Sequence, residues 1–315
     1  MKKRPLAIAL GVVVALLLAE TGTRLLKLGD YPLFDVDDGI GYLPSPNQAG
    51  AYLWAYDWVF NDRSMGTGAW KPTPGFNVFL IGDSIVYGGN FIRQSERIGS
   101  VMEAHFGGKV KVWPASAPSW ALLNELEYIR RNEDIFDKID AAVFVLNSAD
   151  FGQPSRWASD LHNPRSKPLL LAPYTLEKYG FGKSLGELLS LSAPPPPAPS
   201  PAFNEDWPAA WTAQLKRFAG ILNGPILVVF HPTTEELADA GSYEEKFSPA
   251  RKALAALGIE HLTLLELRDE GIWNKGYYKD QIHPRAEGYR VIGDLIASAL
   301  GKALDSRSPR VRPNR

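Results

Sequence analysis

Residues 77–90 read NVFLIGDSIVYGGN, an apolar run followed by a small polar pair and, further on, two glycines. The apolar run 78–81 has the length and composition of a buried strand. Gly82 ends the run, and the small polar pair Asp83 and Ser84 follows at once. If a helix begins there, the serine hydroxyl lies at the carboxyl edge of a sheet, beside backbone N–H groups and the positive end of the helix dipole. That position suits a nucleophile whose attack produces an oxyanion, although Asp-Ser after a strand is also a common turn or helix cap.

An acid and an imidazole stand three residues apart near the other end of the chain. Residues 278–284 read YKDQIHP, with Asp280 and His283 just ahead of a helix that Pro284 is expected to introduce. A serine hydroxyl is a weak nucleophile until a base removes its proton, and a carboxylate that orients the base makes it effective. Taken alone, the pair could be a loop with an exposed histidine. Together with Ser84 it fits the serine–histidine–aspartate arrangement.

With both motifs, the sequence resembles the GDSL-type esterases and lipases, also called SGNH hydrolases. The motifs that match are Gly82-Asp83-Ser84 and Asp280-x-x-His283-Pro284. The resemblance implies that Ser84 attacks an acyl carbonyl, that His283 is the base, and that Asp280 orients it. The preceding segment 60–65, FNDRSM, is similar to one in the exported, membrane-anchored branch of this family.

The resemblance also implies an oxyanion hole with three donors, namely the Ser84 N–H, a backbone N–H on a second loop and an asparagine side chain. In residues 143–150, VFVLNSAD, Asn147 takes the asparagine position. The segment departs from the family pattern Gly-x-Asn-Asp because Val145 replaces the glycine and Ser148 the aspartate. A turn-forming asparagine after a buried strand is the alternative interpretation of Asn147.

Two further residues are candidates on the same sheet edge. The segment 110–120, VKVWPASAPSW, leads from a strand into a loop, and Ser116 stands where the family has its second-loop glycine. Ser116 can still donate its backbone N–H. His231 follows the fourth expected strand and is a candidate for substrate contact, with a surface-turn histidine before Pro232 as the alternative.

The pattern from residue 77 onward alternates strands with helices, which predicts an α/β fold with a parallel sheet covered on both faces. The resemblance implies the SGNH hydrolase fold, a three-layer α/β/α sandwich with a flavodoxin-like parallel five-stranded sheet. The expected strands are 78–81, 110–112, 141–146, 225–230 and 262–265, and the expected helices are 96–105, 122–131, 207–222, 249–257 and 285–304.

Composition shifts divide the chain into a hydrolase-like domain and its additions. The expected units are an N-terminal anchor or signal peptide (1–28), an aromatic-rich extension packed on the domain (29–75), the domain itself (76–304) with an insertion (151–206), and a disordered tail (305–315). Alternation in 51–60 predicts a strand or hairpin. The aromatic residues of the extension are packing residues or, alternatively, a carbohydrate platform. The insertion contains a proline-rich run at 193–201, expected to be an exposed loop or linker, and the rest is a candidate lid or specificity element.

The N-terminus carries an export pattern. Basic residues 2–4 precede the uncharged apolar run 6–19, and no convincing Ala-x-Ala cleavage site follows. We expect a retained inner-membrane anchor, with a cleaved signal peptide and a buried helix of a cytosolic domain as alternatives. The basic residues stay inside, so the domain is expected in the periplasm or outside the cell.

Composition adds a few limits. The 315 residues are 45% hydrophobic, enough for a full core, and carry a formal charge of −1, which offers no electrostatic support for a nucleic-acid partner. The chain has no cysteine, so it has no disulfide and no thiol chemistry. The proposed chemistry requires no metal and no organic cofactor.

These observations predict an exported serine esterase that hydrolyses acyl esters, for example acetyl esters, with a small-molecule or cell-envelope polysaccharide substrate. One alternative is a polysaccharide O-acetyltransferase that uses the same triad, although related transferases often carry Asp-x-His rather than Asp-x-x-His-Pro. A second alternative is a non-catalytic carbohydrate-binding protein on the same fold, which the degraded blocks around Ser116 and Asn147 favour and the intact triad disfavours.

Overall fold

The computed structural model describes residues 3–179 and 206–305, and the first described element is a long helix. This helix, α1 (Lys3–Leu25), is followed by two antiparallel hairpins. The first pairs β1 (Phe34–Asp37) with β2 (Gly41–Pro44), and the second pairs β3 (Gln48–Tyr52) with β4 (Tyr56–Phe60). The second hairpin agrees with the alternation in 51–60, whereas the first has too little alternation to be predicted.

A parallel sheet of five strands forms the centre of the protein. Its strands are β5 (Phe76–Gly82), β6 (Val110–Ser116), β7 (Ala141–Leu146), β8 (Ile226–Phe230) and β9 (Leu262–Glu266). They lie in the order β6-β5-β7-β8-β9, which is the flavodoxin-like order, and every neighbouring pair is parallel. The predicted fold class is therefore confirmed.

Helices cover both faces of this sheet. The helices after α1 are α2 (Ser84–Tyr87), α3 (Ile98–His105), α4 (Leu122–Arg131), α5 (Leu171–Tyr179), α6 (Trp207–Ile221), α7 (Thr234–Ala238), α8 (Ala240–Ala256) and α9 (Ala286–Asp305). Phe79 and Ile81 of β5 belong to the apolar cluster shared with α4, α6 and α8. Val78 and Leu80 belong to the cluster shared with α3 and α9. Because side chains alternate along a strand, the two clusters lie on opposite faces of the sheet.

Helix α8 differs from its prediction. It begins at Ala240, where the Asp239 side chain accepts a hydrogen bond from the Gly241 N–H at 2.9 Å, and it contains Pro249 in its interior. The prediction placed this helix at 249–257, so it missed the turns before Pro249, which has no N–H to donate to the preceding turn. The predicted proline-rich run at 193–201 and the tail after residue 305 lie outside the described residues.

The N-terminal extension packs on the domain largely through its aromatic side chains. Tyr42, Trp58 and Phe60 are buried in the cluster that also contains Trp120. The Trp120 indole N–H donates to the Tyr42 carbonyl at 2.7 Å. These rings are buried in the core, whereas Trp54 in the β3–β4 turn is 66% exposed.

Candidate active site

The end of β5 brings Ser84 to the carboxyl edge of the sheet. The strand ends at Gly82, where any larger residue would force neighbouring atoms to move. A Cβ on Gly82 would lie 2.5 Å from Val86 Cγ2 and 2.8 Å from the Val145 carbonyl oxygen. The Asp83 carboxylate then caps α2 by accepting the Ile85 N–H at 2.8 Å. The chain thus turns sharply from strand to helix at the serine.

The structure brings the three predicted catalytic side chains together from opposite ends of the chain. Ser84 Oγ lies 3.0 Å from His283 Nε2, and His283 Nδ1 lies 3.0 Å from each carboxylate oxygen of Asp280. An ionised carboxylate only accepts hydrogen bonds, so the imidazole proton belongs on Nδ1. The lone pair of Nε2 then faces the serine hydroxyl, which is the arrangement that a general base needs.

Backbone N–H groups of the same loop fix the position of the Asp280 carboxylate. Its Oδ1 accepts the backbone N–H groups of Ile282 at 3.0 Å and His283 at 2.8 Å. Burial would raise the pKa of the Asp280 carboxyl, but these hydrogen bonds and that of the His283 ring outweigh burial and lower it. Asp280 therefore stays ionised and can orient the imidazole over the whole neutral range.

The Asn147 side chain reaches the same edge, but its amide group is engaged by two carboxylates. Asn147 Nδ2 donates to Asp83 Oδ2 at 3.0 Å and to Asp150 Oδ1 at 2.9 Å. Asp150 in turn accepts the Asn147 backbone N–H at 2.7 Å. An amide has two N–H donors, so both are used here. The predicted role of Asn147 in an oxyanion hole stays a prediction, and it requires one of these bonds to be exchanged.

Ser116 is the last residue of β6, is buried, and lies opposite Gly82 in the strand register. Because Ser84 follows Gly82 by two residues, Ser116 and Ser84 lie at the same edge of the sheet. Its role as a backbone donor stays a prediction.

His231 is not the surface-turn residue that the alternative interpretation expected. Its side chain has no exposed surface, and its ring centroid lies 5.7 Å from that of Trp273 and 5.5 Å from that of Tyr278. Burial lowers the pKa of His231 to about 3, so the ring is neutral. The strand end before Pro232 is covered by the loop that carries these two aromatic residues. Substrate contact by His231 stays a prediction, and it requires that this cover move.

Three buried acids lie near the triad, and none of them was a predicted site residue. Burial raises the pKa of Asp83, and it raises the pKa values of Asp150 and Glu125 well above the usual range, with mutual repulsion adding to the effect. Glu125 on α4 is 0% exposed, and neither of its oxygens has a hydrogen-bond partner among the described residues.

The sequence carried a signal for one of these acids. Asp150 stands three residues after Asn147, which is the spacing of a capping box, and the structure forms that box. Glu125, on an otherwise amphipathic helix, has no comparable signal. Within residues 3–179 and 206–305, no group of three or more histidine, aspartate or glutamate side chains is placed to hold a metal ion.

In comparisons with known proteins, the chain is similar only to solved structures. No protein-family model matches the chain, and no curated protein matches it at a significant level. Among solved structures, it is similar to a carbohydrate acetylesterase from Sinorhizobium meliloti, at 14% identity and a TM-score of 0.42 over 72% of this chain and 99% of that one. It is likewise similar to the lipase Lip_vut3 from a goat rumen metagenome, at 14% identity and a TM-score of 0.44 over 72% of this chain and 99% of the lipase.

A third similar structure is that of TesA, at 14% identity and a TM-score of 0.41 over 72% of this chain and 99% of TesA. At such identities and TM-scores, these similarities do not assign an activity or a substrate to this chain. The geometry of the site has to carry that conclusion.

Proposed function

We propose that the protein is a serine esterase of the SGNH type that hydrolyses acyl esters. The observation that carries the proposal is the continuous hydrogen-bonded line from Ser84 Oγ through the His283 ring to the Asp280 carboxylate. Residues that are 199 positions apart in the chain make the contact between serine and histidine, so local sequence does not account for it. A nucleophile, a base and an orienting group in this order are what acyl transfer requires.

In the first half of the reaction, Ser84 Oγ attacks the ester carbonyl carbon while His283 Nε2 takes the hydroxyl proton. The carbonyl oxygen becomes an oxyanion, for which the Ser84 N–H, the Ser116 N–H and the Asn147 amide are the proposed donors. When the tetrahedral intermediate collapses, the carbon–oxygen bond to the alcohol breaks. His283 returns the proton to the leaving alcohol, and an acyl–Ser84 ester remains.

In the second half, water attacks the acyl–Ser84 carbonyl and His283 again takes the proton. Collapse releases the carboxylic acid and restores the Ser84 hydroxyl. The net reaction consumes one ester and one water and yields one acid and one alcohol. In a transferase, a sugar hydroxyl would replace water in this half.

The location of the protein is part of the proposal. Among the described residues, one helix is long and apolar enough by length and composition to cross a membrane, with the span at Ala7–Leu25 and none of it buried. The basic residues 2–4 precede it, which favours an inner-membrane anchor with the catalytic domain on the outer side. That location favours acyl esters of the cell envelope, including acetylated polysaccharide, as substrates.

A fluorophosphonate probe tests the proposal without knowledge of the substrate, because it reacts with activated serines. The full chain should be labelled, and Ser84→Ala and His283→Ala should not. Ser95→Ala, which removes an exposed serine outside the site, is the matched control and should label like the wild type. Failure of a folded wild-type protein to label, or undiminished labelling of Ser84→Ala, would refute the proposal.

Hydrolysis and transfer can be separated with an acetyl ester, with and without an oligosaccharide acceptor. An esterase releases acetate at the same rate in both cases. Acetylation of the acceptor would identify a transferase, and neither product would identify a binding protein.

A further inference from the structure

Several exposed large apolar side chains outside α1 lie near its C-terminal end. Leu169 is 90% exposed and Leu170 58% exposed, and both precede α5. Trp54 in the β3–β4 turn is 66% exposed. Single exposed apolar residues are common on soluble proteins, whereas a group of them marks an interaction surface.

Hydrogen bonds set the start of α5 against α1. The Glu20 carboxylate accepts the backbone N–H of Leu171 at 3.0 Å and of Ala172 at 2.9 Å. Arg24 donates to the Leu169 carbonyl at 2.8 Å. Glu20 lies five residues before the end of α1, which at the helical rise is about 7.5 Å along the helix axis. The exposed leucines therefore lie beside the last turns of an apolar helix rather than beyond its end.

The β3–β4 turn makes a second contact with the same end of α1. The Trp54 indole N–H donates to the Leu25 carbonyl at 2.8 Å, and Lys27 Nζ lies 4.1 Å from the centre of the Trp54 ring. Tryptophan and lysine at the end of an apolar helix are typical of a membrane–water interface.

The backbone of this turn is strained. In the three residues between Tyr52 and Tyr56, Leu53 has φ of 50° and Trp54 has φ of 61°. This left-handed conformation is readily adopted by glycine and asparagine and is uncommon for bulky residues. Bulky residues in that conformation cost free energy and occur where the surrounding structure and the function require them.

We propose that Trp54, Leu169 and Leu170 form a second membrane contact, which inserts into the interface of a phospholipid bilayer and holds the domain against it. The inference rests on the proposed span of α1, because a bilayer around that helix necessarily reaches side chains that flank its last turns.

This contact would also orient the candidate active site. At the other end of α5, the Tyr179 hydroxyl accepts a hydrogen bond from Asn90 at 3.2 Å. Asn90 belongs to the loop that follows Ser84 and α2. The chain of contacts thus runs from the bilayer to the segment beside the proposed nucleophile, which favours substrates presented at the membrane surface.

The absence of native cysteine allows a direct test, because each introduced cysteine carries the only label. Full-length Leu169→Cys, Leu170→Cys and Trp54→Cys are labelled with an environment-sensitive fluorophore and reconstituted into phosphatidylcholine–phosphatidylglycerol vesicles that contain lipid-attached nitroxide quenchers. The control is Phe76→Cys, which is 47% exposed at the amino end of β5, on the edge of the sheet opposite to Ser84. Circular dichroism of every labelled variant checks that it is folded.

We expect blue-shifted emission and quenching by the lipid nitroxides for the labels at Leu169, Leu170 and Trp54, and neither effect at Phe76. A water-like, unquenched label at Leu169 and Leu170 would overturn the inference. A blue shift without lipid quenching would overturn it as well, because it would indicate contact with a second protein copy.

A label at Leu16, which is 63% exposed within α1, distinguishes failure of the proposed membrane span from failure of the second contact. If that label is also unquenched, the span itself fails, and if it is quenched while Leu169 and Leu170 are not, only the second contact fails.

Discussion

Asn147 Nδ2 lies 3.0 Å from Asp83 Oδ2, so the proposed oxyanion donor is bonded to the residue immediately before the proposed nucleophile. The same carboxylate caps the helix that begins at Ser84 through the Ile85 N–H. Asp83 is therefore placed to position both the nucleophile and the amide. During catalysis, the oxyanion would have to compete with Asp83 or Asp150 for an N–H of Asn147.

Replacement of Asn147 by alanine tests the amide. We expect kcat to fall on the order of a hundredfold or more with little change in KM, because an oxyanion donor acts in the transition state. Steady-state kinetics on an acetyl ester measures this split. Asn132→Ala, whose side chain bonds to the Tyr128 carbonyl away from the site, is the control and should keep wild-type kcat. An unchanged kcat in Asn147→Ala would remove this residue from the oxyanion hole.

Asp83 offers a pair of variants that separate capping from positioning. Asparagine is as good a helix cap as aspartate, so Asp83→Asn should keep stability better than Asp83→Ala, which should lose about 1 kcal/mol from the cap. Both variants lose the carboxylate acceptor for Asn147, so both should lower kcat. Urea unfolding and kinetics on the same preparations provide the comparison. Wild-type kcat in both would show that Asp83 acts only as a cap.

Replacement of Asp280 by asparagine should leave the loop folded but lower kcat by about 10⁴, because the amide no longer fixes the Nδ1–H tautomer of His283. Fluorophosphonate labelling should slow in parallel. Glu287→Gln, an exposed acid on α9 outside the triad, serves as the matched control. Equal kcat values for the two variants would contradict the role given to Asp280.

The buried Glu125 should make stability depend on pH. Burial raises the pKa of Glu125 well above its usual range, so between the unfolded and folded pKa values the native state binds more protons than the unfolded state. The contribution of Glu125 to the free energy of unfolding is therefore highest at low pH, where Glu125 is protonated in both states. It declines as the pH rises above the ordinary carboxyl pKa range. In Glu125→Gln this decline should be weaker, as measured by urea unfolding at several pH values between 4 and 8. An identical pH slope in both proteins would contradict the prediction.

His231 should have the opposite dependence on pH. Its folded pKa of about 3 lies below the ordinary value of 6.5, so the unfolded state binds more protons between these values. The contribution of His231 to the free energy of unfolding therefore decreases as pH falls from 6.5 toward 3, because only the unfolded state gains a proton on His231. His231→Phe should reduce that acid sensitivity. Unfolding between pH 4 and 7 measures the effect. The same variant tests substrate contact, which would show as a raised KM with unchanged stability at neutral pH.

The sequence alone was sufficient for the elements with strong local signals. The strand 141–146 and the helix 122–131 have the predicted bounds, because an apolar run and an amphipathic period end sharply at both places. The order of strands and helices also followed from alternation, whereas the strand order came only from the family resemblance. Ser84, Asp280 and His283 were identified as candidates because chemistry restricts which residue types can act together.

Other features depended on contacts between residues far apart in the chain, which no local pattern encodes. The burial of His231 under Trp273 and Tyr278, and of Glu125 beside Asp83, follows from how the loops and α4 pack on the sheet. The Asp83 carboxylate that accepts from the Asn147 amide comes from a different strand end, 64 residues away in the chain. Likewise, residues 169–170 reach the level of Glu20 only because tertiary hydrogen bonds hold them there. The sequence by itself determined the strands of the central sheet and the candidate residues for catalysis, and the tertiary structure decided which of them meet, because the free energy of those contacts comes from burial and pairing across the fold.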